Sequence, residues 1–393
     1  MADKTPKAPP EAPPEEPKEE FFENNATDVE VEDVGGRPTE AKPWDPSRIR
    51  ISTKPFSLRQ VVDMIQDGDI DLAPDFQRLF VWKPVQRSRL IESVLLGIPL
   101  PAFYFNQDGE GAMQVVDGVQ RLTTIYSFVT QKEPLLDLEY LKSLEGQTFD
   151  KLDAALRRRF QQTQIFVNVI EPQTPDDVKF DVFRRINTGG SPLTAQEIRH
   201  CMSRKRSRDL LKNLTSLSSF HQATDGAFRY ERRMADREVV LRFCAFRTLP
   251  DLNNYREFNS LDSFLLDFTR RVDGVHPSQQ GISDSDLFKL SADFERAMRT
   301  AAVVFGNAAF RKYRLGASRR GPINRALFES WATALADYEP EQLRPHKETI
   351  FKAARKRMGD YDYNAAISQG TGDISKVKLR FQVARDILKE AAG

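Results

Sequence analysis

From residue 57 onward, apolar positions recur at helical spacing, broken by a few short apolar runs that read as strands. Leu58, Val61, Val62 and Ile65 share a helix face, Ser57 and Gln60 stand at capping positions, and Gly68 supplies the stop. A short strand over 70–72 follows. Pro84 then opens a second helix with Leu90, Ile91, Val94 and Leu95 on one side and Gly97 as its end. Apolar runs over 102–106 and 113–116 flank a Gln-Asp-Gly-Glu-Gly link and predict a β-hairpin. Helical spacing returns over 119–131, and the β-branched run 164–170, bounded by Pro172, predicts another strand. Beyond Asp176 the strand signals stop. The stripes Phe258/Leu261/Phe264/Leu265/Phe268, Leu287/Leu290/Phe294/Met298/Ala301/Phe305, Ile323/Leu327/Trp331/Leu335 and Val377/Phe381/Ala384/Leu388 predict a helical bundle packed by many of the 27 phenylalanines. The expectation is an α+β chain, with a small mixed-sheet domain over 45–195 and an all-α domain over 196–393.

Composition narrows the function classes. Two cysteines (Cys201, Cys244) and four scattered histidines (His200, His221, His276, His346) argue against a zinc ribbon, a disulfide framework or a self-contained metal-histidine nuclease. The most apolar run, 94–105, is short and carries Gly97, Pro99 and Pro101, so no bilayer span is expected. The opening residues lack an apolar signal region, which reads as cytoplasmic. The net charge of +1 conceals a split: residues 1–40 hold 12 acidic and 4 basic residues and seven prolines, while the remainder holds 54 basic and 45 acidic. Residues 1–44 are therefore expected as a disordered acidic tail. Such a tail either solvates the chain or competes with nucleic acid for the basic body.

Three polar clusters invite chemistry. Gln77 and Arg78, with Trp82 before the second helix, offer a guanidinium for phosphate and a π face for a planar ligand; the plainer reading is a Trp-anchored loop. Asp117-Gly118-Val119-Gln120-Arg121 stands where a strand turns into a helix, so a phosphate fits there as well as a simple Asp117 N-cap with Gln120 at the return position. Phe183-Arg184-Arg185-Ile186-Asn187-Thr188-Gly189-Gly190 ends a helix in a loop whose N–H groups suit an anion. Thr194 and Glu197 start the next helix as a capping box, and ordinary helix punctuation is the alternative.

In this order, Gln77-Arg78, Asp117 to Arg121 and Phe183 to Asn187 resemble the Gln-Arg, D-G-Q-Q-R and F-x-x-x-N motifs of the N-terminal domain family of GmrSD type IV restriction systems. The likeness spans roughly 45–390 and is specific only in the first 200 residues; Val119 replaces the first Gln of D-G-Q-Q-R. The resemblance implies a ParB/sulfiredoxin-like domain that binds and hydrolyses ATP, GTP or CTP with Mg²⁺ in defence against phage or modified DNA. It implies Asp117, Gln120 and Arg121 as catalytic residues, with Asp117 on the metal. Gln77, Arg78, Trp82, Gly118, Thr123, Asn187, Thr188 and Gly189 would hold nucleotide. Relatives commonly carry a downstream HNH nuclease module and none is expected in this chain, so a separate nuclease effector is the expected partner; a homo-oligomer is left open.

Arg199, Arg204, Lys205, Arg206 and Arg208 add five positive charges in ten residues, a candidate DNA track, with a solvated helix face as the alternative. Two other functions stay open: a non-enzymatic DNA-binding sensor, and a nuclease in its own right. For the latter, Pro175-Asp176-Asp177-Val178-Lys179 resembles a nuclease motif but also an ordinary helix start.

Overall fold

The computed structural model describes residues 17–22, 25–35, 45–72, 82–186, 193–229, 233–276 and 278–392. Strands β1 (Glu19–Phe22) and β2 (Asn25–Glu30) pair as an antiparallel ribbon. Next come β3 (Ile51–Ser57), α1 (Leu58–Asp67), β4 (Ile70–Asp71), α2 (Pro84–Leu96), β5 (Phe103–Gln107), β6 (Met113–Asp117), α3 (Val119–Thr130), α4 (Ala154–Gln162) and β7 (Gln164–Ile170). The expected α+β class holds: a five-stranded mixed sheet ordered β3-β7-β5-β6-β4, then a helical half.

The expected elements form for the expected reasons. Ser57 Oγ accepts from the Gln60 N–H at 3.2 Å, and Gly68 and Gly97 end their helices in the left-handed region. In β7, Ile165, Val167 and Val169 point into a core shared with Leu58, Val61, Ile91, Val94, Leu122, Ile125 and Phe128. Strand β3 was not expected. Its residues are mostly exposed, so no alternation shows, and Lys54-Pro55 reads as a break; an edge strand tolerates both, because its outer side has no ladder bond to lose.

The acidic segment departs furthest from expectation. Over the described residues 17–22 and 25–35 it is no disordered tail: Val29 is buried, and the ribbon lies on the helical half. Buried cations there compensate the carboxylates that argued for disorder.

The helical half comprises α5 (Asp176–Ile186), α6 (Ala195–Met202), α7 (Lys205–Thr215), α8 (Ser218–Ala223), α9 (Ala235–Arg247), α10 (Leu261–Asp273), α11 (Asp284–Phe305), α12 (Arg325–Leu335), α13 (Pro340–Leu343), α14 (Lys347–Arg357), α15 (Tyr361–Ala366) and α16 (Ile374–Ala392). Every residue of α12 is buried, and it contacts α9, α11 and α16. Aromatic rings fill the gaps, with Phe246 4.8 Å from both Phe264 and Phe381 and Phe310 4.4 Å from Phe328. The buried acid of α12 is paired: Glu329 takes Arg380 and Arg242, all three in the core. Among the described residues no helix is long and apolar enough to cross a membrane.

Candidate functional site

Strand β6 ends at Asp117, and Gly118 then turns the chain into α3 at a φ of 99°. The glycine is required twice over. That backbone region disfavours other residues, and a Cβ would lie 2.3 Å from Phe103 Cδ1. No side chain caps α3, so Gly118 and not Asp117 is the N-cap, which corrects the capping alternative. Asp117 instead accepts from Arg121 at 2.9 Å.

Arg121, implied as catalytic, is not presented to solvent. Its side chain is 13% exposed, its guanidinium lies 4.1 Å from the Phe103 ring centroid, and it donates to the carbonyls of Pro101 and Ala102. Burial pushes its pKa down from the ordinary arginine value, and Asp117 opposes that shift. The sequence could not signal this brace, because the carbonyls come from a turn about twenty residues earlier. Gln120 is half-buried and Thr123 is buried within α3. Val119 packs against the buried cluster of Cys201 and Met234, so the position where the resembling family has Gln joins the two halves.

Topology sends the chain out of β4 towards the end of the sheet where Asp117 stands. Strand β4 runs parallel to β6, Ile70 opposite Met113 and Asp71 opposite Gln114, so the chain leaving β4 heads the same way as Asp117. Phe183 of the third motif is buried in a cluster with Val116, the neighbour of Asp117, and with Ile198; Ile186 and Leu193 pack on it. Gln77, Arg78, Asn187, Thr188 and Gly189 lie outside the described residues, and Trp82 is half-buried just before α2.

Beyond the third motif the expected capping box is present. Thr194 Oγ1 accepts from the Glu197 N–H at 3.1 Å, and the Glu197 carboxylate accepts from the Thr194 N–H at 2.6 Å. Glu197 also pairs with Arg233 at 3.0 Å; burial raises its pKa, and Arg233 opposes that shift. Arg233 in turn lies 5.2 Å from the Phe22 ring of the ribbon.

The expected DNA track is largely an internal clamp. Arg199 is buried and pairs with Asp262 and Glu238. Arg204 reaches Asp108 and Glu110, both at 3.1 Å, and Arg206 donates to Ile282 O at 2.9 Å and pairs with Asp284. Arg208, 12% exposed, pairs with Asp71. Lys205 alone of the five is well exposed, at 83%, beside Asp209. The acidic partners of the four arginines come from the sheet half and from later helices, which is why the segment looks uncompensated in sequence.

Asp176 is the first residue of α5 and pairs with Arg270 of α10, and burial lowers the Lys179 pKa to about 8. Both cysteines are buried, and burial pushes the Cys201 thiol up to about 12. No group of three or more His, Cys, Asp or Glu suited to a metal occurs among the described residues.

Residues 58–202 match the family model of the GmrSD restriction endonuclease, N-terminal domain, in agreement with the resemblance read from the motifs. No curated protein and no solved structure gave a match.

Proposed function

Taking residues 58–202 as a domain of the GmrSD N-terminal type, we propose that the chain is a nucleotide-binding and nucleotide-hydrolysing component of a DNA-restriction system, acting on a separate nuclease. One observation carries the reading. The uncapped start of α3 at Gly118 and the Asp117 carboxylate sit at the end of the sheet towards which β4 exits and where Phe183 anchors α5. Asp117 is 37% exposed, with one carboxylate oxygen on Arg121. A single carboxylate suits a Mg²⁺ that arrives on nucleotide phosphates better than a resident ion. When bound, that cation neutralises phosphate charge. Gln120 orients the attacking water, Arg78 meets the phosphates, and Arg121 acts as a positioning residue that holds Asp117. Calorimetry and phosphate release with ATP, GTP and CTP, with and without DNA, on wild type and Asp117→Ala test this. Absence of nucleotide binding in all three cases defeats it.

The second reading is a DNA-directed sensor without turnover. The packing of Val119 between the halves favours it, because the side chain at that motif position is engaged in an internal contact. It expects nucleotide or DNA binding with no phosphate release.

A further inference from the structure

Charge, more than apolar burial, holds the acidic ribbon on the helical half. Asp28 meets Arg311 through two contacts of 2.6 Å, Glu32 meets Arg242 at 2.6 and 2.9 Å, and Glu20 meets Arg325 at 2.9 and 3.1 Å. Glu30 meets Lys312 at 2.5 Å. Three of these four contacts are two-pronged, the geometry that a guanidinium also offers a phosphate. Val29 is buried, but Phe21 is 69% exposed. Backbone bonds complete the seat: the Glu30 N–H donates to Ile323 O and the Gly372 N–H to Val34 O, each at 2.8 Å.

The seat is basic once its occupant is subtracted. Arg242 and Arg325 retain Glu238, and Arg242 also retains Glu329, but those two carboxylates are shared with Arg199 and Arg380 as well. Arg311 retains the carbonyls of Gly321 and Thr224, and Lys312 retains the Ser368 hydroxyl. The contact also carries unfavourable backbone: Asp28 and Phe310, the neighbour of Arg311, both adopt left-handed φ, at 57° and 61°.

We propose that the groove formed by Arg242, Arg311, Lys312 and Arg325 is a phosphate-backbone site for DNA, and that the ribbon residues 19–22 and 25–34 are its built-in competitor. The choice of DNA rests on the restriction reading above, whereas the chemistry of the groove is that of a polyanion site. A tethered acidic segment competes at high effective concentration, so the resting protein binds DNA weakly. A duplex that brings many phosphates displaces the ribbon, and the exchange is salt-dependent. The DNA surface thus differs from the segment 199–208, whose arginines are engaged internally.

The test neutralises the ribbon with Glu20→Gln, Asp28→Asn, Glu30→Gln and Glu32→Gln. Fluorescence anisotropy then follows binding of duplex DNA and of inorganic polyphosphate at low salt. The expected result is a gain in affinity of about tenfold or more for both, abolished by adding Arg311→Ala and Lys312→Ala. Unchanged affinity for both, in a variant that keeps its circular dichroism and cooperative melting, overturns the proposal. A gain for polyphosphate alone keeps the groove and removes the DNA reading. Should the variant fail to fold, hydrogen exchange on the wild type decides. The Glu30, Ile323 and Gly372 amides should lose protection at high DNA or polyphosphate concentration, and full protection under both overturns the proposal.

Discussion

Arg121 and Asp117 stand one helical turn apart and close on each other at 2.9 Å, while the same guanidinium holds the carbonyls of Pro101 and Ala102. Arg121→Ala therefore removes one ion pair and the donor to two backbone acceptors, and should destabilise the protein by about 1–3 kcal/mol. Arg121→Lys should recover little, because an ammonium lacks the planar fork. Urea denaturation measures both; an Ala variant as stable as wild type would show that the brace is dispensable.

Gly118→Ala combines an unfavourable φ with a Cβ driven against Phe103. The expected cost is about 2 kcal/mol or more. Adding Phe103→Ala relieves the clash but not the backbone, and opens a cavity of its own, so the double variant should stay below wild type in thermal melts. Equal melting of Gly118→Ala and wild type would contradict the geometry.

The clamp between the halves predicts unequal arginine and lysine effects within one short segment. Arg208→Ala leaves Asp71 without this partner at a mostly buried contact and should cost about 1–3 kcal/mol. Lys205→Ala, at an exposed pair, should stay within about 0.5 kcal/mol. Comparable losses in chemical denaturation would refute the distinction.

Glu92 predicts a pH dependence. Its nearly buried carboxylate accepts the N–H groups of Glu139, Tyr140 and Leu141 at 3.0, 2.7 and 2.8 Å. Burial works to raise its pKa, but the three N–H donors and Arg89 outweigh it and hold the carboxyl below the ordinary glutamate value. A lowered folded-state pKa stabilises the fold above the unfolded-state value, and that contribution disappears as pH falls through the folded-state value. Glu92→Gln should thus lose stability at neutral pH and show a shallower decline on acidification, measured by denaturant midpoints against pH. Parallel curves for the two proteins would show that Glu92 carries none of the dependence.

Much of the sheet half could be read from residues alone, because its signals are local. Alternation in 164–170, glycine stops at 68 and 97 and the Thr194/Glu197 box each lie within a single element. What escaped reading depends on partners far along the chain. Asp28 looks like one more acid in a solvated leader until Arg311 appears, and Arg208 looks like DNA-binding charge until Asp71 does. Arg121 looks like a free catalytic cation for the same reason, since the Pro101 and Ala102 carbonyls that hold it lie in the connection before β5. The direction in which the chain leaves β4, the same as that of β6 towards Asp117, follows from the parallel β4–β6 pairing, which no sequence pattern announces.

The seat of the ribbon also sets an order of assembly. Glu32 accepts from the Thr371 hydroxyl 339 residues further on. At roughly 5–20 residues per second, a ribosome needs tens of seconds to make that stretch. During synthesis the ribbon waits without its groove, its carboxylates in water, while the sheet half closes on nearby contacts. Docking of this early-made segment is then among the last folding events, and protease resistance near Val29 in arrested nascent chains becomes a clock for completion of the helical half.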